Sequence, residues 1–194
     1  MIHSSSSRDS GSREGGESGD NERDDGSDRD TEIDDTGAAE HRIRVGVGDL
    51  AVATDEETLT TSGLGSCVAV ALVDERAGVR GLLHAMLPTS GEAHTAGTRQ
   101  GKYVDAGIDE LVGQLVAAGA EPNRLEARVA GGAEMLDLTD AVGPRNVEQV
   151  KRSLSTAGIP IVASDVGDGV GRTVRFVAGG GVVVRAADGF ERTL

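Results

Sequence analysis

Tryptophan is absent from this sequence, and one tyrosine and two phenylalanines are its only aromatic residues. The core must therefore be assembled from Val, Leu, Ile and Ala. A single cysteine, Cys67, excludes an intramolecular disulfide and any multi-cysteine zinc site. No window approaches the roughly 20 consecutive apolar residues that a membrane-spanning helix needs. No basic start followed by an apolar segment marks a secretory signal, so a soluble, cytoplasmic protein without membrane insertion is expected. Lysine is nearly missing as well, with only Lys102 and Lys151. Acidic residues outnumber basic ones 33 to 19, a formal net charge of -14. Such a surface repels phosphate backbones, which argues against nucleic-acid partners. Scarce Lys beside plentiful Arg, Asp and Glu fits a halophilic source, where screening makes dense negative charge tolerable.

What is present divides at residue 41. Residues 1–41 are rich in Ser, Gly, Asp, Glu and Arg and have almost no apolar side chain. This acidic tail cannot bury enough surface to offset its ordering entropy and is expected to be disordered. Residues 42–194 form one domain. Within it RIRVGVGDLAVA reads as a strand ending near Gly48–Asp49, followed by a short strand at Leu59–Thr61. CVAVALVD and GVRGLLHAMLP read as a hairpin with Gly78 in its turn. Residues 89–101 are a polar loop. YVDAGIDELVGQLVAAGA places Val104, Ile108, Leu111, Val112 and Leu115 at helical spacing, with Gly119 as its stop. LEARVAGGA is a strand closed by Gly131–Gly132, which either end it or admit a close backbone approach. After a loop with Pro144 comes a second amphipathic helix, RNVEQVKRSLSTAG, whose Asn146 is a hydrogen-bonding bracket in a structural role. IPIVASDVGD and the hairpin TVRFVAGGGVVVRA complete the domain. Short strand-to-strand links make the sheet largely antiparallel or mixed, an α+β class with two helices.

Chemistry centres on few residues. GLGSCV lacks the third glycine of a dinucleotide fingerprint, and GDGVGR has no βαβ frame, so no nucleotide cofactor is expected. Gly-Ser-Cys-Val does not match a serine-hydrolase elbow, which leaves Ser66 as a turn residue. His3 and His41 belong to the tail and His94 to the polar loop. Cys67, His84 and His94 lack any characteristic metal-ligand spacing. Cys67 with His84 is the pair of interest. A thiol attacks as thiolate, and an imidazole can take its proton. The hairpin brings the two together as diagonal neighbours if a bulge intervenes. Gly63 and Gly65 would let backbone N–H groups near the thiol meet a developing oxyanion. The bland reading, a small buried hydrophobe and a satisfied core histidine, stays open at this level.

The run TTSGLGSCVAVALVD…GLLHAMLP, with VGVGDLAVA, GKYVDAGIDELV, LEARVAGGAEM, GPRNVEQVKRSL and AGIPIVASDVGD, resembles CheD, the chemoreceptor glutamine deamidase family of bacterial and archaeal chemotaxis. The likeness spans residues 43–186 in order. It implies an α/β/β sandwich related to bacterial toxin deamidases, with the site at one end of the strands. It further implies Cys67 as nucleophile, His84 as general base and Thr61 as third member. The neighbouring hydroxyls of Thr60 and Ser62 leave open which one orients the ring. Backbone groups around Gly65 and Ser66 would form the oxyanion site. The implied partners are chemoreceptor cytoplasmic domains as substrate and a CheC-type phosphatase. The rival reading is a module that docks on CheC and regulates it. Such a module has no need of an activated thiolate, so thiol reactivity near neutral pH is expected to separate the two.

Overall fold

The computed structural model describes residues 27–33, 39–54, 56–91, 99–134 and 141–194. Two mixed sheets lie face to face. One has six strands in the order β1 (Ser27–Ile33), β2 (Ala39–Val45), β4 (Thr58–Leu64), β9 (Arg172–Phe176), β10 (Val182–Ala186), β11 (Glu191–Thr193). The other has five, in the order β3 (Leu50–Ala53), β6 (Val79–Ala85), β5 (Val68–Asp74), β7 (Glu126–Gly131), β8 (Ile161–Val166). Helices α1 (Val104–Ala117) and α2 (Val142–Ala157) cover the outer face of the five-stranded sheet. Among the described strand pairs only β2–β4 and β7–β8 are parallel. This is the expected α+β sandwich, in α/β/β layers.

β5 explains the layering. All seven of its residues are buried, so neither face meets water. Val68, Val70 and Leu72 pack toward Ile108, Leu111 and Leu115 of α1 and Leu154 of α2. Ala69, Ala71 and Val73 face the other sheet, where Leu59, Leu64 and Phe176 fill the space their short side chains leave. Alternation with apolar residues on both faces produces a central strand. Both helices stop where a glycine follows, Gly119 at φ +105° and Gly158 at φ +71°. No helix among the described residues is long and apolar enough to cross a membrane.

Several expectations are revised. The strand expected to end near Gly48–Asp49 ends at Val45, the chain turns through Gly46–Asp49, and Leu50–Ala53, not expected as a strand, forms β3 in the opposite sheet. Val47, predicted to share the apolar face, is 50% exposed in that turn. β4 runs from Thr58 to Leu64, beyond the Leu59–Thr61 expected. Pro144 lies in the first turn of α2, not in a preceding loop, a position that tolerates a missing N–H. Residues 27–33 and 39–41 belong to β1 and β2, inside the tail that composition sets apart as disordered. Backbone pairing needs no apolar side chain, so composition does not register it. The rest of the tail, His3 included, and loop residues 92–98, His94 included, lie outside the described residues.

At the end of the sandwich away from Cys67, Asp74 ties the β5–β6 turn to the connection between α1 and β7. Its carboxylate accepts hydrogen bonds from the backbone N–H of Arg76, Ala77 and Glu121 and from the Arg124 guanidinium, at 2.7–3.2 Å. Arg124, with those N–H groups, holds the carboxyl well below the usual carboxylate range against the opposing effect of burial. Asp74→Asn is expected to lower Tm by roughly 5–10 °C at neutral pH, measured by thermal circular dichroism. The native carboxyl has a depressed pKa, so its contribution is full above the ordinary carboxylate range. It fades as falling pH protonates the unfolded chain first. The gap between native protein and variant should therefore narrow in acid. A constant gap would remove the charge from the explanation.

Candidate active site

Of the three side chains singled out in the sequence, Thr61 and His84 meet between the layers, and strand register puts Cys67 at the start of β5 diagonal to His84. Thr61 comes from β4 in the six-stranded sheet and His84 from β6 in the five-stranded one. Both are buried. The Thr61 hydroxyl lies 2.7 Å from His84 Nδ1 and 2.7 Å from the carbonyl oxygen of Val45. Of the adjacent hydroxyls at 60, 61 and 62, Thr61's is the one at the ring. β4 departs from regular pairing with β9 just after it, between Thr61 and Leu64, with Gly63 at φ +76°. Irregularities of this kind re-aim side chains.

The hydroxyl has one proton, and the Val45 carbonyl can only accept. Thr61 must therefore donate to Val45 and accept from Nδ1, which fixes His84 as the neutral Nδ1–H tautomer. Its Nε2 then carries the lone pair. That nitrogen is buried and has no hydrogen-bond partner among the described residues. Burial lowers the His84 pKa to about 4, so the ring is an uncharged base at neutral pH. Its backbone is pinned at both ends: Gly48 N–H donates to the His84 carbonyl at 2.8 Å, and His84 N–H to the Asp49 carbonyl at 3.0 Å.

Cys67 immediately precedes β5 and is half-buried. β5 and β6 pair without interruption from Val68↔Ala85 to Asp74↔Val79, with Ala69 opposite His84. Two residues before Ala69, Cys67 occupies the diagonal position on that face, where Cα separations are roughly 7–8 Å. No bulge intervenes in this pairing. Burial pushes the thiol pKa up, and a contact from its own backbone N–H lowers it less. Thiol and imidazole are thus both neutral at rest, with no thiolate–imidazolium pair.

The turn carrying Cys67 is held by its carbonyls. Ala133 N–H donates to Gly65 O at 2.8 Å, Asn146 Nδ2 to Ser66 O at 2.9 Å, and Gly132 N–H to Cys67 O at 2.7 Å. Two of these carbonyls are held by the segment that follows β7 and the middle one by α2. Gly131 and Gly132 allow the approach. A Cβ on Gly131 would fall 2.4 Å from Cys67 O, and one on Gly132 2.3 Å from Val147 Cγ2. Both also have positive φ, +97° and +64°. Both sequence readings of this pair are observed: β7 ends at Gly131, and the backbones approach closely there. Beside Gly63, an open groove of about 530 Å³ runs past Arg172 and Arg185. Among the described residues no group of His, Cys, Asp or Glu could hold a metal ion.

Two participants carry little sequence signal. The Val45 carbonyl is backbone and has none. Asn146 does: Asn146, Val150 and Leu154 recur every four residues, which places a polar residue on the buried stripe of α2.

A model of the CheD chemotactic sensory transduction family matches residues 86–186. A protein of Haloarcula marismortui named "Probable chemoreceptor glutamine deamidase CheD" is 40% identical over 157 residues, covering 79% of this chain and 90% of its own length. Chemoreceptor glutamine deamidase CheD of Bacillus subtilis is 40% identical over 139 residues, 69% of this chain and 84% of the relative. A probable CheD deamidase of Thermococcus kodakarensis is 44% identical over 136 residues, 68% and 84% of the two chains.

Proposed function

Because this chain belongs to the CheD family, we propose that it is a protein-glutamine glutaminase acting on chemoreceptors, with Cys67 as nucleophile, His84 as general base and Thr61 as the residue that orients the ring. The observation that carries the reading is the His84 tautomer. With Nδ1–H tied to Thr61, Nε2 is a bare lone pair in a buried site beside the Cys67 turn.

A receptor glutamine side chain enters, and His84 Nε2 takes the Cys67 thiol proton as sulfur attacks the carboxamide carbon. The carbonyl oxygen becomes an oxyanion. Gly65 N–H, expected in the oxyanion site, donates instead to Gly63 O at 3.0 Å, so the oxyanion falls to the backbone N–H groups of Ser66 and Cys67. The imidazolium gives its proton to the nitrogen, the C–N bond breaks, and ammonia leaves a thioester. His84 then takes a proton from water, whose oxygen attacks the thioester. The C–S bond breaks and the thiolate recovers its proton. Water and glutamine are consumed; glutamate and ammonia are formed.

Activation of the thiol belongs to the encounter with substrate, since burial disfavours charge on both partners beforehand. Slow alkylation of the free protein at neutral pH therefore fits an enzyme as well as a binding module, and thiol reactivity alone does not separate the two. The reaction itself must be assayed. A chemoreceptor cytoplasmic fragment at high salt should release ammonia and show the amide-to-acid mass change by intact-mass analysis, and Cys67→Ala should do neither. Absence of release across several receptors, with a CheC-type phosphatase still bound, would transfer the assignment to a docking module.

A further inference from the structure

Asn146 sits in the second turn of α2 with no exposed surface. Its Nδ2 donates to Ser66 O at 2.9 Å and to Met86 O at 3.1 Å. These carbonyls belong to opposite sides of the site. Ser66 precedes Cys67 in the turn before β5, and Met86 follows the end of β6, two residues beyond His84. Extending the pairing of Val68 with Ala85 by one step puts Met86 opposite Cys67. One side-chain amide thus clips together the two backbones at the point where the Cys67–His84 diagonal is set. Two acceptors admit only the NH2 end, so the orientation of the amide follows from chemistry. Its Oδ1 is buried without a hydrogen-bond partner among the described residues. A buried orphan acceptor is costly, and a helix needs no such residue on its apolar stripe.

We infer, on the deamidase reading above, that Asn146 is a positioning residue: its amide sets the spacing between the Cys67 turn and the His84 strand. It touches neither reacting atom. It acts by clamping the backbones that carry both, from a helix fixed to the sheet by Val150 and Leu154. Displacement of a reacting pair by an ångström costs about 100-fold in rate, and that is the loss expected when the clip is removed.

The test compares Asn146→Ala, Asn146→Asp and Leu154→Ala with the unchanged protein. Asn146→Ala should lower kcat for ammonia release about 100-fold with KM within about threefold. Leu154→Ala, which weakens the packing of α2 without touching the clip, should lose thermal stability and keep kcat. Asn146→Asp gives a readout that a packing role would not move. A buried carboxyl facing two carbonyl oxygens is driven to its protonated form, which can donate to one of them. Its kcat should fall as rising pH, scanned from about 5 to 9, ionises that carboxyl, a loss that the unchanged protein, with its neutral amide, does not show. A kcat within about threefold of the parent for folded Asn146→Ala, or a flat profile for Asn146→Asp, would overturn the assignment. If Asn146→Ala does not fold, the Asn146→Asp profile decides alone. Should the unchanged protein release no ammonia, the deamidase reading fails separately. Alkylation of Cys67 by iodoacetamide then tests the clip, and the expected result is at least about tenfold faster modification in Asn146→Ala than in Leu154→Ala; equal rates would overturn it.

Discussion

Replacing His84 with alanine is expected to lower kcat for deamidation by about 10³–10⁴-fold, read as single-turnover ammonia release. With the thiol neutral at rest, no preformed thiolate survives the loss of the base to sustain a background rate. A fall smaller than tenfold would remove His84 from the proton-transfer steps. The same residue dictates the pH profile. Its pKa is lowered from 6.5 to about 4 by burial, and the active form is the deprotonated one. Activity should therefore persist below pH 6 and fall as pH drops through about 4. A limb near 6.5 instead would mean that the ring is solvated in the working enzyme. Stability follows the same sign. A folded-state pKa below the unfolded value stabilises the fold above 6.5 and loses that contribution as pH falls toward 4. The size is on the order of 3 kcal/mol. An acid limb in Tm that disappears in the alanine variant would assign it to this ring.

The parts legible in the sequence were those governed by local pattern. Alternation in CVAVALVD and GVRGLLHA gives β5 and β6, and their pairing alone places Cys67 and His84 on one face. The four-residue loop at 75–78 sets the register, and counting it correctly removes any need for a bulge. Helical spacing at Val104, Ile108, Leu111 and Leu115 gives α1. A break in RIRVGVGDLAVA was legible at Gly48–Asp49, but neither its start at Val45 nor the strand after it was, because the period-2 pattern continues through Val47 while the chain crosses from one sheet to the other. Which sheet a strand joins is a tertiary choice that no local alternation encodes. The resting charge state was likewise out of reach. Spacing suggests a thiol–imidazole pair, but it is burial that makes both partners neutral. The Val45 carbonyl matters most among what was missed. By accepting the Thr61 proton, it turns an ambiguous hydroxyl–imidazole contact into a fixed tautomer.

That fixed tautomer is open to a direct challenge. Thr61→Val keeps the shape of the side chain and deletes the hydroxyl. Two buried groups, the Val45 carbonyl and His84 Nδ1–H, then lose their partner, at about 1–3 kcal/mol each, and Tm should fall accordingly. The chemical consequence is separate. Without an acceptor at Nδ1 the proton is free to move to Nε2, and a ring protonated there cannot take a proton from the thiol. kcat should fall about 10–100-fold, less than for His84→Ala because the base-competent tautomer remains partly populated. Thr61→Ser retains donor and acceptor and loses only a methyl group in the core, so it should recover most of kcat while remaining somewhat less stable. Nitrogen chemical shifts of the His84 ring distinguish the tautomers: Nδ1–H in the parent and in Thr61→Ser, a mixture in Thr61→Val. Equal stability losses in the two variants with kcat within twofold of the parent would mean that the hydroxyl serves only the packing of the sandwich. A rate loss confined to Thr61→Val, together with the tautomer mixture, would tie catalysis to the single proton that Thr61 gives to Val45.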